Sequence, residues 1–377
     1  MRNEKIRYSC VVVVILFMNC VRKYDPPALQ AKNNYLVVDG FINTGADQTT
    51  IINLTRTRSI NDSTFTTTPE LNASVKIVSS DGNAYSLSDK GNGAYQSAVL
   101  NLDNSKQYQL NITTSNGHNY NSDLQSCLKP PPIDSLTWNQ QNDVYVYLYT
   151  HDSSNNTKYY KWDYEETWQY NSIYQTIFGL QGNYIIKLDS TNEIDSCWEN
   201  DLSSQILLGT SANLSDDVIS DAKIAVVPFN DEKLYVRYSI LVHQHALTAE
   251  AYKYWQIVEK NSQDRGGLFD VEPGQLEGNI HSETDPTEPV IGFINASSVT
   301  ESRLFINHFE VGGWSSGPNG CDIVYIDQDP NVFNYYDYPD TAWIPYHYVS
   351  PSGIALSRKY CLDCREHGGT NKRPSYW

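Results

Sequence analysis

Three carboxylates stand close together between two tryptophans and are the first candidates for chemistry in this chain. Asp163, Glu165 and Glu166 follow Trp162 and precede Trp168 in a run of aromatic and polar residues. Two carboxyl groups that face each other across a cleft, about 5 to 10 Å apart, can act as acid and base in glycoside hydrolysis. The same residue types also occur on any solvated strand. The pattern therefore supports a surface glycan-active or peptide-active hydrolase only as an alternative.

Two histidines, His243 and His245, form a second candidate. Residues i and i+2 of a strand point to the same face, so both imidazoles could reach one metal ion. No acidic motif that would supply a third ligand accompanies them. The pattern favours two hydrogen-bonded histidines on a half-buried strand, and no metal site or cofactor is predicted.

The seven cysteines include Cys10 and Cys20 near the start and five more in the body of the chain. Exported proteins meet oxidising conditions, which favour disulfides, and an odd number leaves at least one cysteine free or paired externally. The Cys-x-x-Cys at 361–364 lies in a terminal loop rather than between a strand and a helix, which argues against redox catalysis. The disulfide candidates are Cys197, Cys321, Cys361 and Cys364, and their connectivity stays open.

No nucleophile elbow, His-Glu-x-x-His, P-loop or Gly-x-Gly-x-x-Gly motif is present in the sequence. We therefore predict no catalytic residues, and a protein that is not an enzyme.

The first twenty residues predict export. Basic residues precede an apolar run at 11–18, which is too short to span a bilayer and predicts a signal peptide over residues 1–19. Cys20 closes that run without an Ala-x-Ala site nearby, so the segment resembles a bacterial lipobox and Cys20 is the expected lipidation site. Residues 17–19 depart from the usual Leu-small-small pattern, and an ordinary signal peptide cleaved elsewhere is the alternative. Residues 20–34 would form the lipidated tether.

The composition narrows the class of protein. The formal net charge is −17, only 19% of residues are charged, and there are 28 Tyr and 8 Trp. Such an acidic chain is a poor match for the phosphates of nucleic acid. A polar, aromatic surface with few charges is typical of a secreted β-protein.

The elements that would position these residues are mostly strands. Short strands separated by Gly-containing turn pairs at 81–82, 91–93 and 116–117 predict an immunoglobulin-like β-sandwich over residues 35–128. A proline-rich linker at 129–133 would follow, and then a larger β-rich domain over residues 134–377. In that domain, aromatic and polar residues that alternate imperfectly predict a strand over 158–170, a further strand is predicted over 234–245, and the tail from residue 327 onward is expected to be rich in loops. Within the same domain, residues 248–260 have a Thr cap and apolar residues three or four apart, which predicts one amphipathic helix. The fold class is therefore mainly β.

A second aromatic cluster falls in a segment rich in Asp, Pro and Asn, which suggests an exposed loop. Tyr and Trp supply rigid contact area at interfaces. The interface candidates are Tyr335, Tyr336, Tyr338 and Trp343.

Several segments together resemble one family of uncharacterised Bacteroidetes lipoproteins, a domain family of unknown function. They are residues 35–42 (YLVVDGFI), 131–136 (PPIDSL), 160–168 (YKWDYEETW), 269–280 (FDVEPGQLEGNI) and 361–377, with its Cys-x-x-Cys, Gly-Gly-Thr and closing Trp. The resemblance covers nearly the whole mature chain.

The resemblance implies an outer-membrane location through the lipid anchor, with the periplasmic or cell-surface side left open. Members are often encoded beside TonB-dependent outer-membrane receptors, so a receptor barrel is the implied partner, with a glycan or peptide as ligand. The expected role is that of a binding or accessory subunit of a nutrient-uptake complex. A hydrolase and a structural, adhesin-like lipoprotein are the alternatives. No catalytic residues carry over from the family.

Overall fold

We describe the protein from a computed structural model. The structure describes residues 34–58, 68–181, 184–189, 192–263, 278–315, 320–327, 342–349 and 353–377. The predicted signal peptide, Cys20, the predicted tether up to residue 33 and the candidates Tyr335, Tyr336 and Tyr338 lie outside these residues.

The described chain is mainly β, as the sequence predicts. In chain order the strands are β1 (Leu36–Gly40), β2 (Ile42–Asn43), β3 (Ile51–Arg56), β4 (Thr68–Pro69), β5 (Ser74–Ser79), β6 (Ala84–Gly91), β7 (Ala94–Ser97), β8 (Gln107–Thr113), β9 (Asn119–Ser122), β10 (Gln125–Ser126), β11 (Ile133–Gln140), β12 (Val144–Asp152), β13 (Tyr159–Asn171), β14 (Phe178–Gln181), β15 (Tyr184–Lys187), β16 (Ser196–Leu202), β17 (Leu207–Thr210), β18 (Asp217–Val227), β19 (Arg237–Ala246), β20 (Ile280–Ser282), β21 (Ala296–Ser297), β22 (Val299–Asn307), β23 (Ile323–Asp327), β24 (Trp343–Val349) and β25 (Gly353–Arg358). The α-helices are α1 (Ala249–Gln263) and α2 (Lys359–Leu362), and 3-10 turns span Glu232–Leu234, His308–Glu310 and Cys364–His367.

The N-terminal sheet is a single, curled, ten-stranded sheet. Its strand order is β1-β3-β7-β6-β5-β8-β9-β20, with β4 beside β3 and β10 beside β8. Alternate side chains of its strands fill one core that includes the buried rings of Tyr95, Tyr108 and Tyr120. Twisted sheets of about ten strands tend to curl, and here the curl brings the apolar faces together within one hydrogen-bonded sheet.

A later segment of the chain returns to complete the N-terminal sheet. Ile280 of β20 pairs with Ser122, and β21 pairs with β2 in parallel. The backbone N–H of Val38 donates to the carbonyl of Ile291 at 2.8 Å. At Gly292 a side chain would meet the carbonyl of Val38, so this close approach requires glycine. Residues 278–297, which the sequence analysis grouped with the second domain, therefore pack with the N-terminal sheet.

The central part of the chain is a two-layer sandwich. One layer has the order β11-β12-β18, and the other has β16-β13-β19-β22 with β17 also on β13. Their facing side chains form one core, with Val146 from the first layer and Trp162 and Ile240 from the second. The five-stranded layer, which we call the central sheet, carries the candidate site on its other face.

The proline-rich linker is fastened to the central sheet. The carbonyl of Pro131 accepts hydrogen bonds from the Gln244 amide and the Thr300 hydroxyl, both at 2.9 Å. Gln244 is fully buried and also accepts from the indole N–H of Trp162 at 2.9 Å. The linker is therefore bound to the sandwich through Pro131.

Helix α1 forms where the sequence predicts it. The Thr248 hydroxyl caps its first turn by accepting from the N–H of Ala251 at 3.1 Å. Ala251 and Tyr254 are buried on its apolar face, and the Tyr254 ring packs on Phe293. Neither helix in the described part of the chain has both the length and the apolarity needed to traverse a bilayer.

The last part of the chain, expected to be rich in loops, also contains strands. β23, β25 and β24 form a small antiparallel sheet beside the β14-β15 hairpin. Trp343 of β24 is 9% exposed, packs with Ile354 and Leu356, and lies beneath the Arg358 guanidinium. Its place in this small core, rather than in an exposed loop, does not support its prediction as an interface residue.

Candidate functional site

The candidate site is built on the outer face of the central sheet, where strand register sets which side chains are neighbours. Asp163 on β13, His243 on β19 and Glu301 on β22 lie opposite one another and form one row across three strands. Lys161 and His245 belong to the next row, and paired residues of adjacent strands share a face. The alternation of each strand therefore gathers two imidazoles and two acids at one end of the sheet.

Asp163 joins the two histidines. Its Oδ1 lies 2.8 Å from Nδ1 of His243, and its Oδ2 lies 2.8 Å from Nε2 of His245. The other ring nitrogen of His243 lies 3.6 Å from Oε1 of Glu301. Lys161 Nζ approaches Asp163 Oδ2 at 3.9 Å. The result is a charged network in which the Asp163 carboxylate is the centre.

The surroundings shift these pKa values in different directions. Burial disfavours the charged form of Asp163, but its hydrogen bonds to the two imidazoles outweigh burial and hold the pKa of Asp163 well below its usual range. Burial opposes the charge on His243, yet the hydrogen bond and attraction to Asp163 raise its pKa. For His245 burial dominates and the pKa is lowered. At neutral pH Asp163 is ionised and His245 is neutral.

An open cleft of about 730 Å³ lies over this network. One wall comes from the outer face of the central sheet, through Asp163, His243 and Glu301. The other comes from the loop after β2, which brings in side chains such as Gln48 and Thr49. The cleft therefore lies between the N-terminal sheet and the sandwich, which is a common position for ligand sites.

A smaller cavity of about 140 Å³ adjoins the cleft. The two spaces share Phe41, Asp163 and His245, and the rings of Phe41 and His245 meet edge to face with centroids 4.8 Å apart. The small cavity is further lined by Trp255 of α1 and by Asn295. Four separate parts of the chain thus converge on it.

Glu166 is not part of this site. It is one position out of phase with Asp163 and Glu165 along β13, so it points into the sandwich core, where it is 6% exposed. Its carboxylate accepts from the Tyr238 hydroxyl and from Lys233 Nζ, both at 2.6 Å. Asp163 and Glu166 consequently lie on opposite faces of the strand and cannot flank one scissile bond.

The described residues include no group of three or more His, Cys, Asp or Glu arranged to hold a metal ion. In the histidine pair, the ring nitrogens that face the acid are already held by Asp163. The interpretation of His243 and His245 as hydrogen-bonded histidines agrees with this geometry.

The four disulfide candidates form two bonds. Cys197 pairs with Cys364 and Cys321 pairs with Cys361, with Cα–Cα distances of 5.6 and 6.1 Å. The two cysteines of the Cys-x-x-Cys thus join different partners instead of each other. Cys127 is free and half-buried, and burial raises its pKa to about 11, so its thiol is protonated at neutral pH.

The opposite end of the same sheet face is covered by the C-terminal tail, residues 368–377. Thr370 and Trp198 exchange backbone hydrogen bonds at 2.8 and 2.9 Å. The Trp377 indole donates to Gln169 at 3.1 Å, and Arg237 lies over its ring. In the described part of the chain, the cleft lies over the other end of this face, nearest the N-terminal sheet.

Sequence reasoning singled out Asp163 and both histidines but missed Phe41, Glu301 and Asn295. Phe41 and Asn295 look like ordinary strand residues, and Glu301 like a solvated strand acid. Only the pairing of β19 with β22 and of β2 with β21 brings them to the site. A carboxylate at the strand position opposite a histidine was the available signal, but it requires the register to be known.

Comparison with known proteins shows the family. The sequence profile of a family described as "Domain of unknown function (DUF4249)" matches residues 21–303, which is most of the chain. The protein belongs to this DUF4249 family. No curated protein matches the sequence.

Among solved structures, the chain is similar to one titled "Structure of Yersinia pseudotuberculosis adhesin InvE", with 11% identity and a TM-score of 0.17. The alignment covers 57% of this chain and 55% of the adhesin, so it spans about half the length of that protein.

Proposed function

We propose that this DUF4249 protein is an exported, lipid-anchored binding or accessory subunit of a TonB-dependent uptake complex at the outer membrane. The observation that supports it best is the open cleft between the loop after β2 and the central sheet, with Asp163 at its floor. The hydrogen bonds of Asp163 to His243 and His245 fix the floor of this cleft on paired strands, which provides a preformed surface for a ligand.

The position of the cleft relative to the predicted anchor supports the same role. The predicted tether joins the start of β1, and the cleft begins at Phe41, just past the end of that five-residue strand. At about 3.3 Å per residue, the strand places the cleft roughly 17 Å from the point where the tether enters. A lipid anchor at Cys20 would hold this cleft at high effective concentration beside a membrane partner.

The hydrolase alternative receives no support from the pair Asp163 and Glu166, which lie on opposite faces of β13. It would need two carboxyl groups facing each other across a cleft. Glu166 instead makes its hydrogen bonds inside the sandwich core with Tyr238 and Lys233.

The test is recovery of the tagged, lipidated protein from native outer membranes in a mild detergent, with mass spectrometry of the co-eluting proteins. We expect a TonB-dependent receptor in stoichiometric amount. The matched control is Cys20→Ser, which would lack the lipid and should leave the membrane fraction. Recovery of the intact lipoprotein without a receptor, across several detergents, would contradict the accessory role.

A further inference from the structure

We propose that the cleft and its adjoining cavity bind a ligand that carries a primary ammonium or guanidinium group. The inference deepens the proposed function by naming the class of ligand, and it relies on that function only in treating the cleft as a binding site.

The charge of the cleft is the first argument. Three of its lining residues are carboxylates, namely Asp163, Glu165 and Glu301, and its lining includes no lysine or arginine. Within the described residues, the Glu165 carboxylate makes no hydrogen bond or ion pair, and Glu301 has only the 3.6 Å approach to His243. Uncompensated carboxylates in a concave site concentrate cations and repel anions.

Among the described residues, no lysine or arginine forms an ion pair with Glu165 or Glu301. Lys161 lines the small cavity, where its Nζ lies 4.9 Å from the Trp255 ring centroid. Arg303 follows Glu301 by two positions on the same face of β22. Its Nη1 donates to the Ser239 hydroxyl at 2.9 Å, and its guanidinium stacks on Tyr376 at 3.7 Å. These contacts hold Arg303 toward the C-terminal tail, so its guanidinium does not neutralise Glu165 or Glu301.

A buried acceptor without a donor is the second, independent observation. Asn295 is 6% exposed and lines the small cavity. Its Nδ2 donates to the carbonyl of Ala246 at 3.0 Å, which fixes the amide, while its Oδ1 has no hydrogen-bond partner among the described residues. Buried polar atoms are nearly always paired, so this oxygen is matched to an N–H or O–H from a ligand.

The register locates the two ends of such a ligand. Glu165 and Glu301 stand on the strands either side of β19, opposite Leu241 and His243 respectively. Two strand spacings and a two-residue offset place their Cα atoms about 12 Å apart. A cationic head group fits above these residues, with a carboxylate on each side. The ligand would extend past Phe41 to donate to Asn295 in the small cavity. A basic peptide presents both the cation and further N–H donors in this way.

Titration calorimetry of the purified mature protein at low ionic strength tests the proposal. The probes are trilysine and triarginine, with spermidine to separate a free polyamine from a peptide. The matched neutral probes are triglutamine and a neutral oligosaccharide. We expect the cationic peptides to bind and the neutral probes to fail. The affinity for the cationic peptides should fall at least tenfold between about 20 and 300 mM salt, because the screening length shortens from roughly 20 Å to roughly 5 Å.

The variant E165Q/E301Q should lower the affinity for the cationic probe at least tenfold, with thermal unfolding unchanged. Glu250→Gln, which removes an exposed acid of α1 outside the cleft, is the matched control and should bind as the wild type does.

Three results would overturn the proposal: no cationic probe binding at millimolar concentration, a neutral oligosaccharide binding without salt dependence, or E165Q/E301Q binding like the wild type. Co-purification of a receptor barrel does not depend on these acids. If the receptor barrel co-purifies but no cationic probe binds, this inference fails and the proposed function stands. If a cationic probe binds but no barrel co-purifies, the proposed function fails and this inference stands.

Discussion

Asp163 Oδ1 and His243 Nδ1 lie 2.8 Å apart on neighbouring strands, and the other oxygen of the same carboxylate holds His245 at the same distance. One carboxylate therefore serves two imidazoles whose pKa values move in opposite directions, because His245 is the more deeply buried of the two. This asymmetry can be measured.

The two histidines should titrate on opposite sides of the ordinary value. We expect NMR titration of the ring protons to give a pKa above 6.5 for His243 and below 6.5 for His245. Asp163→Asn should lower the His243 midpoint, since it removes the negative charge that raises it. Equal midpoints in the wild type would show that the two rings do not share Asp163 in this way.

The pairing of His243 should stabilise the fold in a pH-dependent manner. Because its folded-state pKa is raised, its contribution is complete below the unfolded value of 6.5 and is lost as the pH rises through the folded value. We expect His243→Gln to lower the free energy of unfolding by about 1–2 kcal/mol at about pH 5.5 and by less at about pH 8.5. Urea unfolding at both pH values measures this, and an equal loss at both would contradict it.

The stability of the fold should depend on the ion pair between Glu166 and Lys233. Lys233→Met would leave the buried Glu166 carboxylate with only the Tyr238 hydroxyl, and we expect a loss of about 3 kcal/mol in the free energy of unfolding. Adding Glu166→Gln should recover part of that loss, because no charge then remains in the core. Chemical denaturation of the wild type, the two single variants and the double variant gives a double-mutant cycle for this pair. A neutral effect of Lys233→Met would show that the ion pair does not stabilise the fold.

Gly209 should tolerate no side chain. A methyl group there would come within 2.3 Å of the indole of Trp162, which is 2% exposed and hydrogen-bonded to Gln244. We expect Gly209→Ala to destabilise the protein by about 1–3 kcal/mol through overpacking. Gly312→Ala is the matched control for the glycine change itself, since the nearest atom to a methyl group there is 3.9 Å away. Equal effects of the two variants on the thermal midpoint would argue against the packing explanation.

The Cys197–Cys364 bond should hold the C-terminal tail on the sheet. It joins residues 167 positions apart, and its loss should cost about 2–5 kcal/mol. We expect Cys364→Ser to make the tail susceptible to protease and to change the fluorescence of Trp377, whose ring packs on Trp198. Mass spectrometry of the digest locates the first cut. A first cut outside the tail would show that other contacts suffice to hold it.

The sequence predicts the local elements well where periodicity is strong. The strand predicted over 158–170 is observed at Tyr159–Asn171, and the helix predicted over 248–260 is observed at Ala249–Gln263. The strand predicted from residue 234 begins at Arg237, because Asp231 caps a 3-10 turn over Glu232–Leu234 just before it. The start of a strand shifts in this way when a side chain hydrogen-bonds a backbone N–H and favours a turn.

Long-range pairing could not be predicted in the same way. His243 and His245 were visible as a pair on one strand face, but Asp163 and Glu301 reach them only through the register of β13, β19 and β22. Likewise residues 280–297 give no local sign that they belong to the N-terminal sheet. Strand pairing depends on how all the strands pack around the core. Unlike the spacing of residues within one strand or helix, it leaves no pattern of fixed spacing in a single sequence.

The return of β20 to β9 also affects the order in which the protein can form. A chain made from its N-terminus presents β1 to β10 first. The edge at β9 is completed only when Ile280 has emerged, after every sandwich strand except β22. Until then that edge has free backbone groups, which invite pairing with another chain. A fragment ending at the proline-rich linker would keep this open edge permanently, so it should aggregate rather than fold as a separate module.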